Sequence, residues 1–111
     1  LWMQKVIDDP AVKLKVVRFT PASEVSPAKG EVFSHLANTI TACFSNAVVT
    51  PYLMLGATDA RKYQNLSNHI YRFTPVRMDK SEVARMHGVD ERISEENIRL
   101  AVTFYATLIQ S

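Results

Sequence analysis

The chain has 111 residues, 13 Lys+Arg against 11 Asp+Glu, and a formal net charge of +2. That length holds one domain at most, and 47% apolar with 22% charged residues is the composition of a folding chain rather than a disordered one. The small charge excludes a nucleic-acid or polybasic membrane partner. The single cysteine, Cys43, excludes an intrachain disulfide, and no apolar run approaches the roughly 18–20 residues of a membrane span.

The first residues read as the last turns of an amphipathic helix: Trp2, Met3, Val6 and Ile7 share a face beside Gln4, Lys5, Asp8 and Asp9. A chain that opens in this way, at Leu1 rather than Met, is expected to be a piece of something longer. Asp9-Pro10 ends that helix, because proline disfavours the α region for its predecessor. Residues 12–20, VKLKVVRFT, alternate apolar side chains with Lys13 and Lys15, the pattern of a half-buried strand suited to a sheet edge. Residues 21–30, PASEVSPAKG, read as a linker between two structural units.

Ser26-Pro27 has the form of an N-cap followed by proline at the first helical position. The helix it predicts carries Phe33, Leu36, Ala37, Ile40, Cys43 and Phe44 on one stripe. The run 47–56, AVVTPYLMLG, is apolar and β-rich, a strand buried on both faces, although Pro51 argues for an edge or a bulge. Thr58 or Asp59 is placed to cap a short helix, and residues 70–76, IYRFTPV, predict another strand. Ser94 caps a last helix with Glu95 and Glu96 in its first turn and Ile98, Ala101, Val102, Tyr105, Leu108 and Ile109 on its apolar face. Strand and helix thus alternate, which predicts an α/β fold.

Chemistry-bearing residues are few. His35 and His69 read as surface or boundary residues, and Asn65-Leu66-Ser67 is a glycosylation sequon of a kind common by chance. His87 lies in RMHGVDER, where Gly88 frees the backbone for a tight turn, but no ligand spacing accompanies it. In LMLGATDAR (53–61), an apolar run ends in Gly56 and Ala57, followed by Thr58 and Asp59. An α/β sheet places ligand loops at such strand ends, and a plain strand-to-helix turn with Asp59 as cap fits equally well.

Together, GATDAR, IYRF and HGVDERIS resemble the C-terminal portion of the di-zinc metallopeptidases of family twenty, a group that includes carboxypeptidase S, aminoacylase-1 and glutamate carboxypeptidase. The likeness is specific from Pro51 to Ile109 and closest to the carboxypeptidase S-like branch. It implies a two-zinc hydrolase of N-acyl amino acids or small peptides, of which this chain forms the end. Residues 1–20 would close a lid or dimerisation domain, 21–30 link, and 31–111 complete the catalytic α/β domain. His87 would be one zinc ligand, with Asp90 and Glu91 as its hydrogen-bonding neighbours. Gly56, Ala57 and Thr58 would line the substrate cleft, with Asp59 and Arg61 ordering that loop. Two departures touch this pattern: Ala57 replaces a usual glycine and Asp90 a usual asparagine.

The remaining zinc ligands and the general base would come from an N-terminal remainder, so the resemblance assigns no catalytic residue to this stretch and implies that the chain alone binds no zinc tightly and is inactive. Homo-oligomerisation is expected, with neither nucleic acid nor membrane as partner. The compartment stays open, the cytoplasm being favoured because this stretch shows no signal segment. A second reading is non-catalytic: an interaction or dimerisation module whose strand VKLKVVRFT pairs with a partner's edge.

Overall fold

The computed structural model describes residues 2–111; Leu1, the first residue of the expected lid segment, lies outside them. Among the described residues the regular structure is helical throughout. It consists of α1 (Trp2–Ile7), α2 (Glu31–Cys43), a 3-10 helix (Asp59–Tyr63), α3 (Lys80–Val83) and α4 (Glu95–Gln110). Helix makes up 40% of these residues and strand 0%. The α/β expectation is therefore corrected: neither the sheet of a catalytic domain nor the strand of a lid forms.

The reason lies in where the main-chain groups go. A strand exists only through a partner's ladder, whereas a helix closes its bonds within itself. Residues 12–20 and 48–55 run without helix, turn or bend, and no ladder joins them. In the 70–77 run, side chains occupy the positions a neighbouring strand would take. The Ile70 N–H donates to Ser26 Oγ (2.9 Å) and Ser26 Oγ donates to the Ile70 carbonyl (3.0 Å). Asn97 does the same at the other end: its Oδ1 accepts from the Arg77 N–H and its Nδ2 donates to the Arg77 carbonyl, both at 2.8 Å.

Ser26 is thus not the cap of α2. The helix starts at Glu31 after Gly30, whose φ of 94° is a left-handed value that glycine adopts without a Cβ penalty. The predicted stripe of α2 does face inward, with Ile40 and Phe44 buried and Leu36 and Cys43 packed against them. α4 is capped as expected, Ser94 Oγ accepting from the Asn97 N–H at 3.2 Å. Its buried side, however, is set by Asn97, Phe104 and the partly buried Leu100 and Leu108. Ile98, Val102, Tyr105 and Ile109, spaced i, i+4, i+7 and i+11, face solvent instead.

The core is small. Ile40, Phe44 and Phe104 form it where α2 meets α4, with Val49 at its rim. Phe73 extends it as a chain of rings, edge-on to Phe44 at 6.2 Å and tilted to Phe104 at 5.1 Å. The Arg77 guanidinium lies 5.8 Å from the Phe44 ring centre, within cation–π range. Around this nucleus the chain is open. Its radius of gyration is 19.1 Å, against about 13 Å for a compact chain of this length. It exposes 9664 Å², where a compact chain of 12.5 kDa exposes about 6,200 Å².

Candidate functional site

The 70–77 run is the hub from which the candidate site is built. Tyr71 donates its hydroxyl to the Pro27 carbonyl at 2.7 Å and stacks its ring, tilted, 5.8 Å from Phe33. Arg72 donates through Nε to Thr58 Oγ1 (3.0 Å) and through Nη2 to Ser23 Oγ (3.2 Å). Thr58 also accepts from the Ala60 N–H at 3.3 Å, so it, rather than Asp59, caps the 3-10 helix. A cleft of about 710 Å³ opens between this hub and the 49–58 run. A second, of about 590 Å³, lies along 46–50 and is walled by Phe44, Phe73 and Val76.

Of the expected site residues, Gly56, Ala57, Thr58 and Arg61 line the larger cleft. Gly56 is not forced there by crowding, since a Cβ would meet only Met54 Sδ at an ordinary 3.7 Å. Asp59 pairs with Lys62 at 2.8 Å on the exposed turn, its partner within its own helix. The residue that ties the loop to the rest of the chain is Arg72, to which the resemblance assigns no role. Its signal was present in IYRF, an arginine within an otherwise apolar run.

His87, Asp90 and Glu91 lie elsewhere and line neither cleft. They follow α3, a single turn closed by a full capping box. Asp79 Oδ1 accepts from the Ser81 and Glu82 N–H groups at 2.7 and 2.9 Å, and Glu82 Oε2 accepts from the Asp79 N–H at 2.9 Å. The bonds from Glu82 and Ser81, with the Arg85 charge in support, hold the Asp79 carboxyl below its ordinary pKa. His87 is exposed and carries a φ of 62°, a left-handed conformation in which histidine is among the more tolerated residues. The turn closes through the Gly88 N–H donating to the Arg85 carbonyl at 2.8 Å. A Cβ on Gly88 would sit 2.9 Å from that same oxygen, so glycine is required there. Asp90 faces Arg92 at 3.4 Å and Arg85 at 3.8 Å.

A zinc site needs three or four converging ligands. Among the described residues no group of three or more His, Cys, Asp or Glu side chains is placed to hold a metal. The residues present do not fit a zinc ion by themselves, and no catalytic step is derived through one. The reading of this stretch as a piece of a zinc-peptidase catalytic domain is corrected accordingly. Among the described residues neither the sheet that would carry such a site nor the donor cluster is present. The helical chain with its ring cluster fits a non-catalytic packing module better.

Comparison with known proteins gives the chain relatives. It is 44% identical over 98% of its length to an N-fatty-acyl-amino acid synthase/hydrolase of Xenopus tropicalis. It is 36% identical, again over 98%, to a probable carboxypeptidase S-like protein of Dictyostelium discoideum. With carboxypeptidase S of Saccharomyces cerevisiae it shares 32% over 84% of its length. The chain is homologous to peptidases of family twenty. It spans only 22%, 21% and 18% of those three relatives. No family model and no solved structure matches it. Among the described residues no helix is long and apolar enough to cross a membrane.

Proposed function

We propose that this chain is a non-catalytic packing and interaction module. The small α2–α4 core holds it in shape, and the surface it leaves uncovered makes the contacts. One observation carries this reading: the chain exposes 9664 Å², about 3,500 Å² beyond what a compact chain of its mass would show. Large apolar side chains stand exposed on it, among them Val17, Phe19, Val48, Leu55 and the outer α4 stripe ending at Ile109. Apolar surface on this scale marks a place of association.

The test has two arms, both on the purified chain. A dye that fluoresces on apolar surface is expected to brighten several-fold over a compact control of equal mass, and zinc with N-acyl amino acids is expected to give no turnover. A dye-silent chain, or metal-dependent release of an amino acid, overturns the reading.

For a protein of the relatives' length, several finer points are proposals: hydrolase activity of the kind their names describe, zinc as its metal, and small peptides or N-acyl amino acids as substrates. So are oligomerisation and the division into 1–20, 21–30 and 31–111. To that larger protein belong the roles of His87 as a metal donor with Asp90 and Glu91 beside it, and of Gly56, Ala57, Thr58, Asp59 and Arg61 along the cleft. Metal analysis of His87→Ala in a full-length relative-like protein checks them; unchanged zinc content removes His87.

A further inference from the structure

The tripeptide Asn65-Leu66-Ser67 takes no part in the core and lines neither cleft. Its spacing alone carries little, so the weight falls on where the fold puts it. Every residue from Arg61 to His69 is exposed, and residues 64–66 form the turn that follows the 3-10 helix. Local bonds hold that turn: the Tyr63 carbonyl accepts from the Leu66 N–H at 2.9 Å and from the Ser67 N–H at 3.2 Å. Ser67 Oγ accepts from the His69 N–H at 3.0 Å. None of these bonds uses the Asn65 carboxamide, which has no hydrogen-bond partner among the described residues.

The other asparagines do not share this setting. Asn38, Asn46, Asn68 and Asn97 have no serine or threonine two residues on, and Asn97 is committed to the main chain of Arg77. At Asn65 the acceptor amide is free, the intervening residue is leucine rather than proline, and the hydroxyl lies on an exposed turn. A turn closed only by bonds within a few residues opens onto an enzyme without disturbing the core. In the transfer, Asn65 Nδ2 forms a bond to the anomeric carbon of a lipid-pyrophosphate-linked oligosaccharide. The bond from that carbon to the pyrophosphate oxygen breaks, the lipid pyrophosphate leaves, and Nδ2 gives up one proton.

We infer that Asn65 carries an N-linked oligosaccharide. Tyr63 and Leu66, 58% and 79% exposed, stand on the same turn, and a bulky hydrated sugar beside them shields apolar side chains that no packing covers. The inference goes beyond the interaction reading, because it marks a part of the surface that the module's partners do not use. Contacts are then made away from residues 63–67. It also places the protein in the secretory pathway, where the sugar donor and its transferase reside, and so settles the compartment that the sequence leaves open.

Peptide mapping tests the inference directly. Trypsin cuts after Lys62 and Arg72 and isolates the sequon in YQNLSNHIYR. In protein taken from its own cells, this peptide is expected to bear an oligosaccharide. Peptide-N-glycosidase in heavy-oxygen water should turn Asn65 into a labelled aspartate and leave Asn68 unlabelled. Expressed in the same cells, Asn65→Gln and Ser67→Ala should lose the sugar from this peptide and Ser67→Thr should keep it. Circular dichroism should report the same helix content for all three. A bare Asn65 peptide from the native protein overturns the inference, as does a sugar that stays on this peptide in Asn65→Gln. Both outcomes leave the interaction reading standing, since dye binding to apolar surface is measured without the sugar.

Discussion

The junction of α2 and α4 and the run 12–20 are built from similar residues and behave in opposite ways. Phe104 is 1% exposed and Phe19 is 79% exposed. What separates them is the distance over which each must find its partners. α2 satisfies its main chain internally and needs only one apolar neighbour, which α4 supplies. The 12–20 run requires a ladder from elsewhere, and among the described residues none is present. Among the described residues local structure therefore forms and no non-local β pairing does.

Truncating one phenylalanine in each region gives the sharpest test of that contrast. Phe104→Ala removes a fully buried ring and should cost about 3–5 kcal/mol, enough to unfold a chain with so small a core. Phe19→Ala should change the unfolding free energy by no more than about 0.5 kcal/mol. Equal losses in chemical denaturation would erase the distinction between the two regions.

A smaller effect is expected at Asn97, 4% exposed, which serves both main-chain groups of Arg77. Asn97→Leu keeps the bulk but orphans those groups, and about 1–3 kcal/mol should be lost. Local hydrogen exchange at the Arg77 amide should rise with it. Unchanged exchange would mean that the rings of Phe73 and Phe104 alone fix this run.

The smallest effect belongs to α3. The Asp79 carboxyl is held below its ordinary pKa chiefly by the Glu82 N–H, then by Ser81. A depressed folded-state value contributes stability that is present above the unfolded pKa and fades as pH falls through the folded one. Amide shifts of Ser81 and Glu82 should therefore move toward coil values only below the usual carboxylate range, and Asp79→Asn should abolish that titration. A midpoint at the ordinary carboxylate value would show that the cap does not form in solution.

Much of the helical frame was legible in the sequence. The Phe33-to-Phe44 stripe, the Ser94 cap and the break at Asp9-Pro10 all depend on neighbours within a few residues, and each appears in the fold. The inward side of α4 was read only in part: Leu108 lies on the expected face and packs on the core, but Ile98, Val102, Tyr105 and Ile109 compete with Leu100 and Phe104 around a helix apolar on nearly every side. Only the position of α2 decides between them. The three strands were misjudged for a related reason: β-rich composition in 12–20, 47–56 and 70–76 states a capacity to pair and says nothing of the partner. Ser26 shows the same limit, since its hydroxyl goes to Ile70, 44 residues away, instead of to the next helix. At the candidate site, GATDAR and HGVDER stood out by motif, yet the tie between the 58 loop and the hub runs through Arg72.

The Asn97 clasp also reroutes mechanical load. It joins Arg77 to a residue 20 positions onward, so tension applied between the two ends of the chain crosses from one to the other directly. The intervening stretch, with the α3 cap and the left-handed His87, hangs slack as a side branch. Under a steady pull that branch should keep its shape until the amide clasp ruptures and then release its hidden length in a single step.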